Sequence, residues 1–148
     1  MNNRYIIPQR SLNENGEPRK IGFELEFGEL EVNKAVAVVA KTFSGFSEKK
    51  SEIEFEVKSE EFGIFKVELD WQLGKKIAEK RAGKSLPDGA DEPDAVMDFF
   101  KRLAGQFVPV EIVCPPLTLD ECKRLDVMVE ELRAAGAKGT DKSYLYAF

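Results

Sequence analysis

The sequence predicts an α+β fold, with a curved, mostly antiparallel sheet that carries helices on one face. Several segments alternate apolar and polar residues, as half-buried strands do, and segments with apolar residues at helix spacing lie between them. The 148 residues are enough for one domain with a real core. Hydrophobic residues make up 43% of the chain and charged residues 33%, which is typical of a globular rather than a disordered protein.

The first strong strand is predicted over residues 20–28, after a lead-in segment over residues 1–18 that is turn-rich from residue 11 to residue 18. Alternation gives this strand two different faces. One face is apolar and consists of Ile21, Phe23, Leu25 and Phe27. The other face consists of Gly22, Glu24, Glu26 and Gly28. The two glycines leave this second face open to an approaching group.

A helix is predicted over residues 31–43 from its apolar spacing, and Gly45 is expected to end it. Two alternating segments, 52–58 and 62–71, follow and are predicted to form a hairpin. In the first of them the polar face is an acidic stripe that we expect to be solvated, formed by Glu52, Glu54 and Glu56.

Residues 83–93 are rich in Gly, Pro and Asp and are predicted to be an exposed loop, which a helix over about 93–104 follows. A strand is then predicted over 107–114, and Pro115-Pro116 is expected to break it. Pro109 favours an edge position or a bulge for this strand, because proline cannot donate a hydrogen bond to the sheet.

Thr118 and Glu121 have the spacing of a capping box, which predicts a helix from there to about Ala135 with Gly136 as its stop. The last residues, 142–148, read as the start of another alternating strand that ends on an aromatic residue. Since complete domains seldom end inside a strand, we expect the chain to be a piece of a longer protein.

The composition excludes several classes of function. A net charge of −5 argues against binding to nucleic acid by electrostatic attraction. The chain has neither an apolar run of transmembrane length nor a signal-peptide core, so we expect a cytoplasmic protein with no membrane partner. Histidine is absent, so any chemistry must use carboxylates, Lys or Arg. Cys114 and Cys122 lack metal-ligand spacing and are expected to be small core residues.

Glu24 and Glu26 are the most informative pair of residues in the chain. Residues two apart on a strand lie about 6–7 Å apart on the same face, so both carboxylates can converge on one divalent cation or on adjacent ones. The alternative interpretation is an ordinary solvated face of an antiparallel sheet, on which glutamate needs no special explanation.

Further acidic residues are expected to join this pair on one surface if the strands share a helix layer. They are Glu68, Asp70 and Glu111. Glu111 lies between Val110 and Ile112 in an otherwise apolar strand, where an isolated charge is rarely buried without a partner. Carboxylate oxygens are hard ligands, which favour Mg²⁺, Mn²⁺ or Ca²⁺ over zinc. Simple exposure of these acids remains the competing interpretation.

The order of four blocks resembles the putative amidoligase family. The blocks are Arg-Lys-Ile-Gly-Phe-Glu-Leu-Glu-Phe-Gly (19–28), Phe-Lys-Val-Glu-Leu-Asp (65–70), Pro-Val-Glu-Ile-Val-Cys-Pro-Pro-Leu (109–117) and Leu-Arg-Ala-Ala-Gly-Ala-Lys-Gly-Thr (132–140). That family is similar to the glutamate–cysteine ligase and glutamine synthetase group of carboxylate–amine ligases. The resemblance implies that residues 19–148 are the N-terminal part of a glutamine-synthetase-like catalytic domain.

The resemblance also implies an ATP-dependent ligase that needs Mg²⁺ or Mn²⁺ and joins a small-molecule or peptide carboxylate to an amine through an acyl phosphate. Glu24 and Glu26 would be metal ligands of the first strand. Asp70 would be a catalytic residue close to the metal or to the incoming amine. Glu111 would be a ligand at the site where metal and nucleotide meet.

The sequence departs from the family pattern at its end. The family continues with a Gly-x-His block, whereas this chain stops at Phe148 and contains no histidine. We therefore expect the chain alone to be inactive and the full-length protein to be an enzyme. An incomplete sheet would also expose an edge, so we expect homo-oligomers through residues 142–148. The alternatives are a cation- or nucleotide-binding module without turnover and a plain interaction domain.

Overall fold

A computed structural model of the chain describes residues 8–51, 53–70 and 109–139, and in these ranges it has one sheet and two helices. All strand pairs are antiparallel, and the strand order is β1-β5-β4-β3-β2. The predicted α+β fold is therefore confirmed. The elements in chain order are β1 (Lys20–Phe27), α1 (Val32–Thr42), β2 (Phe46–Lys49), β3 (Glu54–Ser59), β4 (Gly63–Leu69), β5 (Val110–Thr118) and α2 (Lys123–Ala134).

One face of the sheet packs with both helices into a single apolar core, because the strands alternate as predicted. The strands contribute Phe27, Phe55, Val57, Phe65, Val67, Val110 and Ile112, and the helices contribute Ala35, Val36, Val39, Leu125, Met128 and Leu132. The opposite face, which we call the acidic face, carries all the carboxylates of the described strands. They are Glu24, Glu26, Glu48, Glu54, Glu56, Glu68 and Glu111, with Asp70 directly after β4.

Strand β1 and helix α1 lie where the sequence predicts them, but the helix ends differently. Ser44 takes the left-handed conformation (φ 50°) that Gly45 was expected to supply. The Gly45 N–H then donates to the Ala40 carbonyl over 2.9 Å and closes the last turn. Glycine is needed at this position for a different reason: a Cβ there would lie 2.8 Å from Val57 Cγ1. The conformational requirement and the steric one therefore fall on neighbouring residues.

The β3–β4 hairpin is confirmed, with Ser59 paired to Gly63 across the turn. Strand β2 was not predicted. Its four residues, Phe-Ser-Glu-Lys, are all exposed at the edge of the described sheet, so they have no apolar alternation for a pattern to detect.

Strand β5 corrects two predictions. It runs through Pro115-Pro116 instead of breaking there, and it lies between β1 and β4 rather than at an edge. The prolines are tolerated because the described pairing with β4 ends at Lys66–Val113. On the β1 side the register shifts by one residue between Ile21 and Phe23, so a bulge absorbs them. The bulge predicted for this strand is thus present, at these two prolines rather than at Pro109.

Helix α2 has the predicted capping box: the Thr118 N–H donates to Glu121 Oε2 over 2.6 Å, and the Glu121 N–H donates to Thr118 Oγ1 over 3.4 Å. Regular helix begins slightly later than predicted, at Lys123. Gly136, at φ 111°, ends the helix as expected. The chain then returns to β1, where the backbones of Gly28 and Lys138 exchange hydrogen bonds of 2.9 and 3.0 Å.

Cys114 and Cys122 are buried free thiols, which confirms their predicted place in the core. Burial raises the pKa of the Cys114 thiol to about 12. Neither helix in the described ranges has the length and apolarity needed to cross a bilayer. The predicted loop 83–93, helix 93–104 and strand 142–148 lie outside the described residues, as do Glu52 and Trp71.

Candidate metal centre

Four glutamates lie side by side across four neighbouring strands of the acidic face. The register pairs Glu26 of β1 with Glu111 of β5, Glu111 with Glu68 of β4, and Glu68 with Glu54 of β3. We call these four residues the glutamate row. Directly opposed side chains in an antiparallel sheet have Cβ atoms about 4.5–5.5 Å apart, and like charges in such positions destabilise the sheet. The row therefore concentrates negative charge at a cost in folding free energy.

Asp70 joins the glutamate row at the end of β4. Its N–H donates to the Pro109 carbonyl over 2.8 Å, which holds it beside the start of β5. One carboxylate oxygen from each of Glu26, Asp70 and Glu111 lies within 4.8 Å of the other two, and all three residues are half-buried. We call these three residues the carboxylate cluster. They come from β1, from the end of β4 and from β5, so the sheet brings together three separate stretches of sequence.

The electrostatics follow from this crowding. Burial, followed by the charges of Glu68, Glu24, Asp70 and Glu26, raises the pKa of Glu111. The pKa of Glu68 is also raised, first by burial and then by Glu54 and Asp70, while Lys66 opposes the rise. A cation placed among these groups would lower both pKa values and relieve the repulsion.

The other end of the acidic face is neutralised by its own lysines. Lys50 Nζ lies 2.9 Å from a carboxylate oxygen of Glu48 and 3.1 Å from one of Glu56. Lys58 contacts Glu48 as well and lies 3.7 Å from Glu56. Hydrogen bonds from Lys58 and Lys50 lower the pKa of Glu48 to about 2. Within the described ranges no Lys or Arg forms an ion pair with Glu26, Glu68 or Glu111, so the excess negative charge is confined to the cluster end.

The predicted site residues divide into two groups. Glu26, Asp70 and Glu111 converge in the carboxylate cluster. Glu24 lies on the same face but is exposed and pairs with Val113, one step along the strands from the cluster. Its charge still raises the pKa of Glu111, so it belongs to the surroundings of the cluster. Its role as a metal ligand stays a prediction.

Glu54 was expected to belong to a solvated stripe, yet it is the fourth member of the glutamate row. The signal that could have placed it is the hairpin turn. Once Ser59 is paired with Gly63, counting five residues away from the turn along each strand sets Glu54 opposite Glu68.

The chemistry of the cluster fits a divalent metal ion. Three carboxylates offer hard oxygen donors, which suit Mg²⁺, Mn²⁺ or Ca²⁺. Oxygens on opposite sides of one Mg²⁺ lie about 4.2 Å apart, since each is about 2.1 Å from the ion. The oxygens of the cluster lie within 4.8 Å of one another, which is close to that span. Small side-chain rotations would therefore suffice to bring them onto one ion.

Comparison with known proteins gives one finding. A family model described as "Putative amidoligase enzyme" matches residues 17–148, which include every described strand and helix and all the acidic residues of the acidic face. Searches among curated proteins and among solved structures returned no match.

Proposed function

The chain belongs to the putative amidoligase enzyme family, and on that premise we propose that it serves an ATP- and Mg²⁺-dependent reaction that joins a carboxylate to an amine. The observation that supports the metal-dependent part of this proposal is the carboxylate cluster. Its three oxygens lie within 4.8 Å of one another, and no described Lys or Arg is paired with Glu26 or Glu111. Phosphoryl transfer needs such a site, because the phosphate charge must be neutralised while it moves.

The proposed reaction has two steps. An oxygen of the substrate carboxylate attacks the γ-phosphorus of ATP, the bond to the β-phosphate oxygen breaks, and ADP leaves with an acyl phosphate formed. The amine nitrogen then attacks the acyl carbon and expels inorganic phosphate, which leaves an amide. Each amide formed therefore consumes one ATP and releases one ADP, one phosphate and the amine proton.

The chain's own residues have distinct roles in this proposal. Glu26 and Glu111, which face each other from β1 and β5, would hold a divalent cation between the two strands. A bound Mg²⁺ would neutralise charge on the phosphate oxygens. Asp70 directly follows β4 and is proposed as the carboxylate that completes the ligand set or takes the proton of the incoming amine.

Metal binding tests the cluster directly. Mn²⁺ titrated into the chain at pH 7 should bind, and Glu26→Gln and Glu111→Gln should each weaken binding about 100-fold, since each removes a charged ligand. Glu56→Gln is the matched control, because Glu56 lies on the same face beside Lys50 and Lys58. Equal affinities for all four proteins would overturn the metal site.

Turnover tests the reaction. The full-length protein, given ATP, Mg²⁺ and panels of carboxylic acids and amines, should release ADP only when an acid is present, and it should form an amide when an amine is added. Asp70→Asn should lower the rate with the fold preserved, as judged by circular dichroism. Metal and ATP binding without ADP release would favour the alternative of a binding module that has lost turnover.

A further inference from the structure

Strand β4 presents three kinds of side chain to the acidic face in a fixed order. From one end to the other they are the apolar Ile64, the cationic Lys66, and the acidic Glu68 followed by Asp70. Alternate residues on a strand are about 6–7 Å apart, so this gradient extends over about 20 Å. The residues between them, Phe65 and Val67, are fully buried, which fixes the outward direction of the series.

Lys66 differs from the other lysines of this face. Lys50 and Lys58 are both bound to Glu48 and Glu56. Lys66 lies opposite Glu56 on one side and Val113 on the other, yet within the described ranges it forms no ion pair and no hydrogen bond. Its ammonium group is exposed beside the carboxylate cluster, where it influences Glu68. It is therefore a cation available to an anionic ligand.

The apolar end of the gradient consists of three neighbouring apolar side chains. Ile64 is 50% exposed, although isoleucine is usually buried. The neighbouring strand contributes Val113 and Pro115 to the same face, and both are half-buried. Pro115 lies against Gly63, where a Cβ on the glycine would be in van der Waals contact at 3.4 Å. Ile64, Val113 and Pro115 thus form an apolar platform next to Lys66.

We propose that a nucleoside triphosphate lies along β4 and β5 of the acidic face, with its phosphate chain at Lys66 and the carboxylate cluster and its base on the apolar platform. This inference rests on the proposed function and adds the orientation of the nucleotide and two contact residues, Lys66 and Ile64. Such a ligand has the same order of chemistry as the strand: a planar apolar base, then anionic phosphates, then a metal ion on the terminal phosphates. The gradient is complementary to the nucleotide in only one direction.

A comparison of ATP with inorganic tripolyphosphate tests this orientation, because tripolyphosphate has the phosphates without the base. Affinities of the chain for both probes are measured by calorimetry in Mg²⁺. Lys66→Met should weaken ATP and tripolyphosphate alike by about tenfold, which is the loss of one charge-assisted contact. Ile64→Thr should weaken ATP about tenfold and leave tripolyphosphate unchanged, and threonine keeps the preference for a strand.

Two matched controls separate these effects from general damage. Ile21→Thr makes the same change on β1 at a residue that is 43% exposed, and it should leave both affinities unchanged. Lys34→Met removes an exposed lysine of α1 and should do the same. Mn²⁺ affinity is measured for every variant. Ile64→Thr, Ile21→Thr and Lys34→Met should leave it within about threefold, whereas Lys66→Met should raise it, because it removes a positive charge near Glu68.

The outcomes are distinguishable. Equal weakening of ATP and tripolyphosphate by Ile64→Thr, or no effect of Lys66→Met on either probe, would overturn the proposed orientation. Mn²⁺ binding without binding of ATP or tripolyphosphate would overturn it as well, while the metal site would stand. A different result would contradict the proposed function: the Mn²⁺ affinity would be the same in wild type, Glu26→Gln and Glu111→Gln.

Discussion

The two ends of the acidic face have similar sequences and opposite electrostatics. At the β2–β3 end, Glu48 and Glu56 are paired with Lys50 and Lys58, and the pKa of Glu48 is held at about 2. At the β1–β5–β4 end the carboxylates face one another, and the pKa of Glu111 is raised. Both ends alternate acidic and apolar residues in the same way. The position of lysines, rather than the number of acids, therefore distinguishes a candidate cation site from an ordinary solvated surface.

The largest expected effect comes from adding a second lysine to the cluster end, at the position that Lys66 faces across the strands. Val113→Lys would place an ammonium group on the acidic face, directly opposite Glu24 and two residues from Glu111. A positive charge a few ångströms from a bound divalent cation should weaken Mn²⁺ binding by about 100-fold. Val113→Met, which adds length without charge, is the control. Mn²⁺ titration of both variants makes the comparison, and a similar loss in Val113→Met would mean that shape rather than charge is responsible.

Relief of repulsion in the metal-free protein should be the next largest effect. Glu111→Gln removes the central charge of the glutamate row and should raise the free energy of unfolding by about 1 kcal/mol in the presence of a chelator. Glu48→Gln removes an attractive partner and should lower the free energy of unfolding. Urea unfolding of both variants measures the two effects. Changes of the same sign would show that the two ends do not differ in the way described.

The pH dependence should separate the two ends further. The pKa of Glu111 is raised above its usual value of 4.5, so its contribution to stability is greatest at low pH and is lost as the pH rises through the raised pKa. Glu48 has the opposite sign: its contribution is present above pH 4.5 and is lost as the pH falls towards about 2. Urea unfolding of wild type, Glu111→Gln and Glu48→Gln with chelator, from about pH 8 to pH 2, tests this. Wild type and Glu111→Gln should differ mainly above pH 4.5, and wild type and Glu48→Gln mainly above pH 2.

The smallest effect concerns the ion pairs themselves. Lys58→Met should destabilise the protein slightly at low ionic strength, because it leaves Glu48 and Glu56 with only Lys50. The difference from wild type should disappear at about 1 M salt, where the Debye length falls to about 3 Å. Thermal unfolding at the two salt concentrations measures it. A salt-independent loss would instead point to the packing of the lysine stem.

Features that depend on a few neighbouring residues could be predicted from the sequence. The two faces of β1, the capping box of Thr118 and Glu121, and the stop at Gly136 all follow from local rules of alternation and hydrogen bonding. The wrong or missing predictions concern features that other strands decide. The four exposed residues of β2 are held as a strand only by their pairing with β3. The central position of β5 is compatible with Pro115-Pro116 because its described pairing with β4 stops at Val113.

The candidate site could be predicted in composition but not in arrangement. The sequence indicates that Glu24, Glu26, Asp70 and Glu111 share a face, since that follows from alternation. Which of them meet is decided by register: Glu26 pairs with Glu111, whereas Glu24 pairs with Val113. A shift by one residue would turn the same side chains to the other face, and no local pattern excludes it. The separation of Glu24 from the carboxylate cluster is therefore information that only the paired strands contain.

The bulge at Pro115-Pro116 has a consequence for insertions and deletions in β5. Cys114 and Leu117 are three residues apart, yet both side chains point into the core, at 5% and 1% exposure. Strict alternation would have turned Leu117 to water. The extra residue of the bulge shifts the alternation by one position, so Leu117 faces the core again. Loss of one proline would remove this extra residue. Cys114 and Leu117 would then be two residues apart and would still share the core face by strict alternation, while the pairing of Glu111 with Glu26 is kept. A change in length on the α2 side of the bulge therefore leaves Glu111 on the acidic face, whereas a one-residue change between Glu26's partner and the bulge would shift the register that follows it.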